Sequence, residues 1–270
     1  MTPLTFTSCQ APIADNLCRE IVGWLSTQIE EPATFIADIP WTERERQFDT
    51  GQIDVAWICG TPYVEKMDRA EPNLELLAAP VAAAARYQGQ PVYFSDVLVH
   101  KDSPYQQFSD LRGATWAYNE PRSHSGYHVM RYALAQRGLD GDFFGRVIES
   151  GAHQRSLQLI LKGQVDTSAI DSTVLDMIYA QDHTIQSQIR SLAILGPSPM
   201  PPWVIGRHVP AARCQQLRQL LLHLHEDAEG LKILTRYQMA RFAEVTDHTY
   251  DEIRHMLKSG VKIKNTVRVY

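Results

Sequence analysis

The chain has 270 residues, 44% of them hydrophobic and 21% charged, which is the composition of a folded globule. That length holds either one large domain or two of about 100 to 150 residues. The net charge of -5, with both signs interleaved along the chain, excludes the Lys/Arg stripe of a nucleic-acid surface.

From the N-terminus, Met1 to Leu25 lacks a basic start and an unbroken apolar run, because Gln10, Asp15, Asn16, Arg19 and Glu20 interrupt it. No signal peptide is therefore expected: the chain as it stands reads as cytoplasmic, or as numbered after a removed leader. No stretch approaches the ~20 apolar residues of a membrane span, so membrane insertion is not expected either. Strands are predicted at 4–7, 34–39, 53–58, 74–80, 92–100, 114–118, 146–150, 165–170, 191–195 and 204–207, where short apolar runs carry β-branched or aromatic residues. Between them lie helical patterns, with Leu17, Ile21, Trp24 and Leu25 on one face, Val129, Met130, Ala133 and Leu134 on another, and Leu157, Ile160 and Leu161 on a third. Arg137-Gly138 and Lys162-Gly163 read as left-handed helix ends. Cys9, Cys18, Cys59 and Cys214 have no CxxC spacing and are expected as small buried hydrophobes rather than a disulfide framework or a metal site.

This alternation predicts an α/β fold. The proline-rich loop 196–202 and the segment 88–91 are the expected crossings, which would make two Rossmann-like lobes joined by a two-strand hinge: 1–88 plus 197–270, and 89–196, with the ligand cleft between them. Ligands of open α/β sheets bind outside the carboxyl ends of the strands, so the site should be gathered from loops that follow strands. The richest such loop runs from Ala114 to His128. There Ser123, His124 and Ser125 fall in the first turn of an amphipathic helix, where unpaired N–H groups and the helix dipole favour an anion, and Gly126 allows close approach. Ser123 alone would read as an ordinary cap. Thr61 and Tyr63 follow another strand at a helix start, His153 follows the strand 146–150, and Asp171 follows 165–170, as acceptor or cap.

These residues carry a resemblance. Tyr93-Phe-Ser95, Lys101-Asp-Ser103, Asp110-Leu-Arg-Gly113, Ser123-His-Ser-Gly-Tyr127, Ser150-Gly-Ala-His153, Gly163-Gln-Val-Asp166 and Ala169-Ile-Asp-Ser172, with Asp54-Val-Ala-Trp57 and Pro62-Tyr63, resemble the phosphate, phosphite and phosphonate binding proteins of ABC importers. The resemblance implies a periplasmic-binding-protein-like, type II fold that closes around a small anion, an ABC permease as partner, a monomer and a periplasmic location. It places the oxyanion at Ser123 and Ser125 and completes the cleft with Tyr93, His153 and Asp171; Ser95, His124, Gly126, Thr61 and Tyr63 complete the expected ligand-binding set. His124 stands where the family has threonine, and Cys59-Gly60 also departs from it, so the expected oxyanion extends to a carboxylate or sulfonate.

His124 and His128 are spaced as helical zinc ligands, with His153 and Asp171 as further candidates, but no HExxH glutamate or cysteine pair accompanies them. No metal, cofactor or catalytic residue is expected. The competing readings are a cytoplasmic enzyme on the same fold, of the menaquinone or thiamine-precursor type, and a ligand-sensing module. No nucleophile elbow, phosphate loop or dinucleotide fingerprint supports the enzyme.

Overall fold

The structure, a computed structural model, describes residues 3–264 and 266–268. Among the described residues the strands are β1 (Leu4–Ser8), β2 (Ala33–Ile36), β3 (Val55–Trp57), β4 (Leu74–Ala82), β5 (Val92–His100), β6 (Thr115–Tyr118), β7 (Arg146–Glu149), β8 (Thr167–Asp171), β9 (Ile189–Pro199), β10 (Trp203–Gly206), β11 (Met239–Ala243) and β12 (Thr266–Arg268). The α-helices are α1 (Asp15–Gln28), α2 (Trp41–Asp49), α3 (Gly60–Met67), α4 (Val129–Gln136), α5 (His153–Leu161), α6 (Ser172–Gln181), α7 (Ala211–His223), α8 (Ala228–Arg236) and α9 (Asp251–Ser259). The chain divides into two compact units, Met1–Val92 with Pro199–Asp251, and Tyr93–Ser198 with Glu252–Tyr270.

In the first unit a six-stranded sheet runs in the order β11-β4-β10-β3-β1-β2. β1 lies parallel to β2 and β3, while β10 is antiparallel to β3 and β4. β3 is buried along its whole length, as strands covered on both faces are, and so reads as a continuous apolar run. Trp57 stacks on Trp203 across the β3–β10 pair, with ring centroids 6.2 Å apart. The face of α1 expected from its spacing, Leu17, Ile21, Trp24 and Leu25, is buried. Lys66, fully buried on α3, is held by Glu45 at 2.8 Å and Asp49 at 2.6 Å, so its charge is paired rather than free for chemistry.

The second unit has its own six-stranded sheet, ordered β12-β7-β6-β8-β5-β9, with β6 parallel to β7 and β8 and β5 antiparallel to β8. Its core is aromatic: Trp116 stacks on Tyr127 at 5.8 Å and packs against Phe144 at 5.1 Å, over the buried α4 face of Val129, Met130, Ala133 and Leu134. Gly138 and Gly163 close α4 and α5 at φ values of 65° and 64°, the left-handed ends expected for them.

Several expectations are corrected here. The C-terminal segment belongs to the second unit, not with the N-terminus. Met256 of α9 enters that unit's core, β12 pairs parallel with β7, and the Arg131 guanidinium donates to the Gly260 and Val261 carbonyls. The chain therefore passes between units at 92/93, 198/199 and 251/252, rather than at two crossings near 88 and 197. The segment read as a loop after Leu195 is largely strand: β9 continues through Pro197 to Pro199, which an edge position tolerates because no neighbour requires the missing N–H. Of the cysteines, Cys18 and Cys214 are buried while Cys9 and Cys59 are half-buried.

Candidate functional site

β6 ends at Tyr118, and the chain turns at once into a helix whose first turn, His124–His128, is π-helical before α4 continues it. Ser123 is the N-cap: its backbone is extended, and its Oγ accepts the Gly126 N–H at 3.0 Å. The N–H groups of a first turn have no partner inside the helix, so this end presents donors and the positive end of the dipole.

The side chains of the turn form a buried polar cluster. Ser125 Oγ lies 2.9 Å from His153 Nε2 and 3.5 Å from Ser123 Oγ. His124 Nε2 shares a 3.1 Å hydrogen bond with Ser198 Oγ. His153 is delivered by β7 through Gly151, whose φ of 89° turns the chain so that His153 opens α5. Ser123, His124, Ser125 and His153 are all at most 5% exposed. That burial pushes both imidazoles down to about 4, so near neutral pH each is uncharged and offers one donor and one acceptor nitrogen. Among the described residues, Nδ1 of His124, Nδ1 of His153 and Oδ1 of Asn119 are buried without a hydrogen-bond partner. Buried polar atoms are rarely left in this state, and a cluster of them marks where a ligand or water would supply the missing bonds.

Gly126 is explained by its neighbours. A Cβ there would overlap Asn119 Oδ1 and lie 3.0 Å from Asn119 Cγ and 3.2 Å from His153 Cε1. Close approach at Gly126 is thus used by Asn119.

The other second-unit residues flank this turn. Tyr93 is buried and meets the His124 ring edge-on, with centroids 6.4 Å apart at 82°. Ser95 and Asp171 face each other in the β5–β8 register. Asp171 caps α6, accepting from Thr173 N at 2.8 Å and Thr173 Oγ1 at 2.7 Å, while burial raises its carboxyl to about 6. Ser95 Oγ is buried and unpaired among the described residues. Thr61 and Tyr63 belong to the first unit and are fully buried there. Tyr63 donates to Asp247 Oδ1 at 2.9 Å and packs on Tyr250; Cys59, not Thr61, occupies the N-cap position of α3, and Thr61 Oγ1 is left unpaired among the described residues.

His128 is turned to Arg131, at 2.8 Å from its Nδ1, and burial with the nearby guanidinium lowers it to about 3. Among the described residues no cluster of three His, Cys, Asp or Glu could hold a metal ion. Sequence reasoning did not select Asn119 or Ser198. A lone Asn after a strand reads as a turn residue, and Ser198 lies 74 positions from His124, beyond any local spacing signal.

A buried polar turn opening a helix after a strand, on an α/β unit, is the setting of a small-ligand site in substrate-binding folds, and comparison with known proteins gives the family. A profile described as ABC transporter, phosphonate, periplasmic substrate-binding protein matches residues 7–250, and the chain belongs to that family. The chain is 25% identical over 213 residues to the phosphonates-binding periplasmic protein of Escherichia coli K12, covering 76% of itself and 60% of that relative's length. Among solved structures, a binding protein component of an ABC phosphonate transporter from Pseudomonas aeruginosa superposes with a TM-score of 0.81 at 20% identity, covering 95% of this chain and 86% of that one. A Prochlorococcus marinus protein in complex with methylphosphonate also gives 0.81, at 18% identity, over 94% and 97% of the two chains. No helix among the described residues is long and apolar enough to cross a membrane.

Proposed function

We propose that this chain binds a small phosphonate-like oxyanion at the Ser123–Gly126 turn and delivers it to an ABC permease without changing it chemically. The observation that carries the reading is the buried, uncharged cluster at the start of the 124–136 helix, where hydroxyls, imidazoles and unpaired polar atoms converge. In this reading the first-turn N–H groups and the Ser123 and Ser125 hydroxyls take the oxyanion, and His153 Nδ1 gains the partner it lacks. Such donors, already fixed before the ligand arrives, lower the ordering cost of binding. Asp171, Ser95 and Tyr93 would bound the rest of the ligand. Family membership supports a periplasmic place of action.

The test is native mass spectrometry of the purified protein, followed by titration with a panel of small phosphonates, phosphate, sulfonates and carboxylates. Retention or saturable binding of a phosphorus oxyanion, recovered unchanged, is the expected result. Binding of none of the panel, or conversion of the bound compound, would overturn the proposal.

A further inference from the structure

His124 has no role in the oxyanion contacts assigned above, yet it is fully buried at the centre of the turn. Its Nε2 bonds Ser198, the last residue of the second unit before the chain passes into the first. Its ring packs against Tyr93, the first residue after the chain enters the second unit. One side chain of the anion turn therefore touches both of these crossing segments, on β5 and on β9. The geometry points to His124 as a positioning residue that couples the anion turn to two of the three crossings, so that occupancy of the turn and the conformation of residues 92–95 and 196–199 are biased together.

The chemistry suits that task. A neutral ring is flat and stiff, with one polar atom committed to Ser198 and its plane nearly perpendicular to the Tyr93 ring, so a shift of the turn cannot be absorbed by rotamer change without losing both contacts. A threonine at this position is too short to reach Ser198. The neighbouring residue on the same turn is Ser125, whose hydroxyl is already fixed on His153. An oxyanion drawing in Ser125 would move the His124 backbone with it, and any such coupling is reciprocal: what stabilises the crossings must stabilise the turn. The liganded half of this inference rests on the proposed oxyanion reading; the unliganded half does not.

The test is hydrogen–deuterium exchange on the full chain, reading peptides that cover 89–95, 120–128 and 194–202. In the unliganded protein, Ser198→Ala should speed exchange in the 120–128 peptide, and His124→Thr should speed it in the 194–202 peptide, each by about fivefold, as expected for one lost buried hydrogen bond. His124→Gln, which restores a side-chain donor of similar reach, should recover much of the protection. With methylphosphonate as the probe, wild type should gain protection in both crossing peptides. Ser198→Ala should keep an affinity within about threefold of wild type but lose the ligand-driven protection at 194–202, a split that a merely structural hydroxyl would not give. Exchange confined to the peptide carrying each mutation, or full ligand-driven protection in Ser198→Ala, would overturn the coupling. Failure of wild type to bind methylphosphonate would instead count against the oxyanion reading and leave the unliganded exchange to decide this one.

Discussion

Removing the Ser125 hydroxyl tests two consequences of the cluster at once. In Ser125→Ala, His153 Nε2 loses its 2.9 Å partner, and its Nδ1 already has none among the described residues, so a buried imidazole is left without hydrogen bonds. A buried polar group stripped of its partner costs about 1 to 3 kcal/mol of stability. At roughly 2 to 4 °C per kcal/mol for a chain of this size, the melting temperature should fall by about 2 to 12 °C. The N–H groups and helix dipole remain, so anion binding should weaken rather than vanish. One lost hydrogen bond to a charged group is worth about 1.5 to 3 kcal/mol, a tenfold to hundredfold loss of affinity. Scanning calorimetry and fluorescence titration on the same sample read both numbers. Unchanged melting would show that Ser125 and His153 are not energetically joined, and unchanged affinity would remove the turn from the site.

Three further substitutions separate structural from binding roles. Ser123→Ala removes the cap on Gly126 N and should lower stability by about 1 kcal/mol; a loss of affinity beyond about threefold, read by the same titration, would assign its hydroxyl to the ligand as well. Gly126→Ala, which in an open helix position would be stabilising, should instead destabilise by about 1 to 3 kcal/mol because the new methyl meets Asn119, and Asn119→Ala should relieve it; a neutral Gly126→Ala would refute that packing. Asp171 is raised from 3.8 to about 6, so its carboxyl adds stability that is fully present below pH 3.8 and is lost as pH rises through 6. Asp171→Asn, which can still accept from Thr173, should therefore gain on wild type between about pH 4 and pH 7, by up to about 3 kcal/mol in denaturant titrations, and parallel pH profiles would contradict the shift.

Much of the fold was legible because the parallel strands are short, apolar and bounded by helices with clear periodicity, as β3 and α1 illustrate. What escaped was at sheet edges. β11 carries Arg241 and Arg-flanked apolar residues without alternation, β12 spans Thr266–Arg268 only, and β9 contains prolines that a central strand would exclude. The C-terminal helix was assigned to the wrong unit because partners such as Arg131 with Val261 are 130 residues apart, and local pattern carries no information on such pairing. At the site, Ser123 as cap and Asp171 as cap followed from position alone. The Ser125–His153 bond, the His124–Ser198 bond and the wedge of Asn119 against Gly126 did not, because each is set by tertiary packing between segments that spacing cannot relate.

Anchoring of a phosphonate-type oxyanion by the Ser123–Gly126 turn, as proposed, is open to direct measurement. Isothermal titration of the wild-type chain with methylphosphonate, run against Ser125→Ala and against methanesulfonate as a tetrahedral control, addresses it most directly. Saturable binding of one methylphosphonate per chain, recovered intact, is expected, with a tenfold to hundredfold weaker isotherm for Ser125→Ala. An absence of heat with methylphosphonate, or identical isotherms for the two proteins, would contradict it.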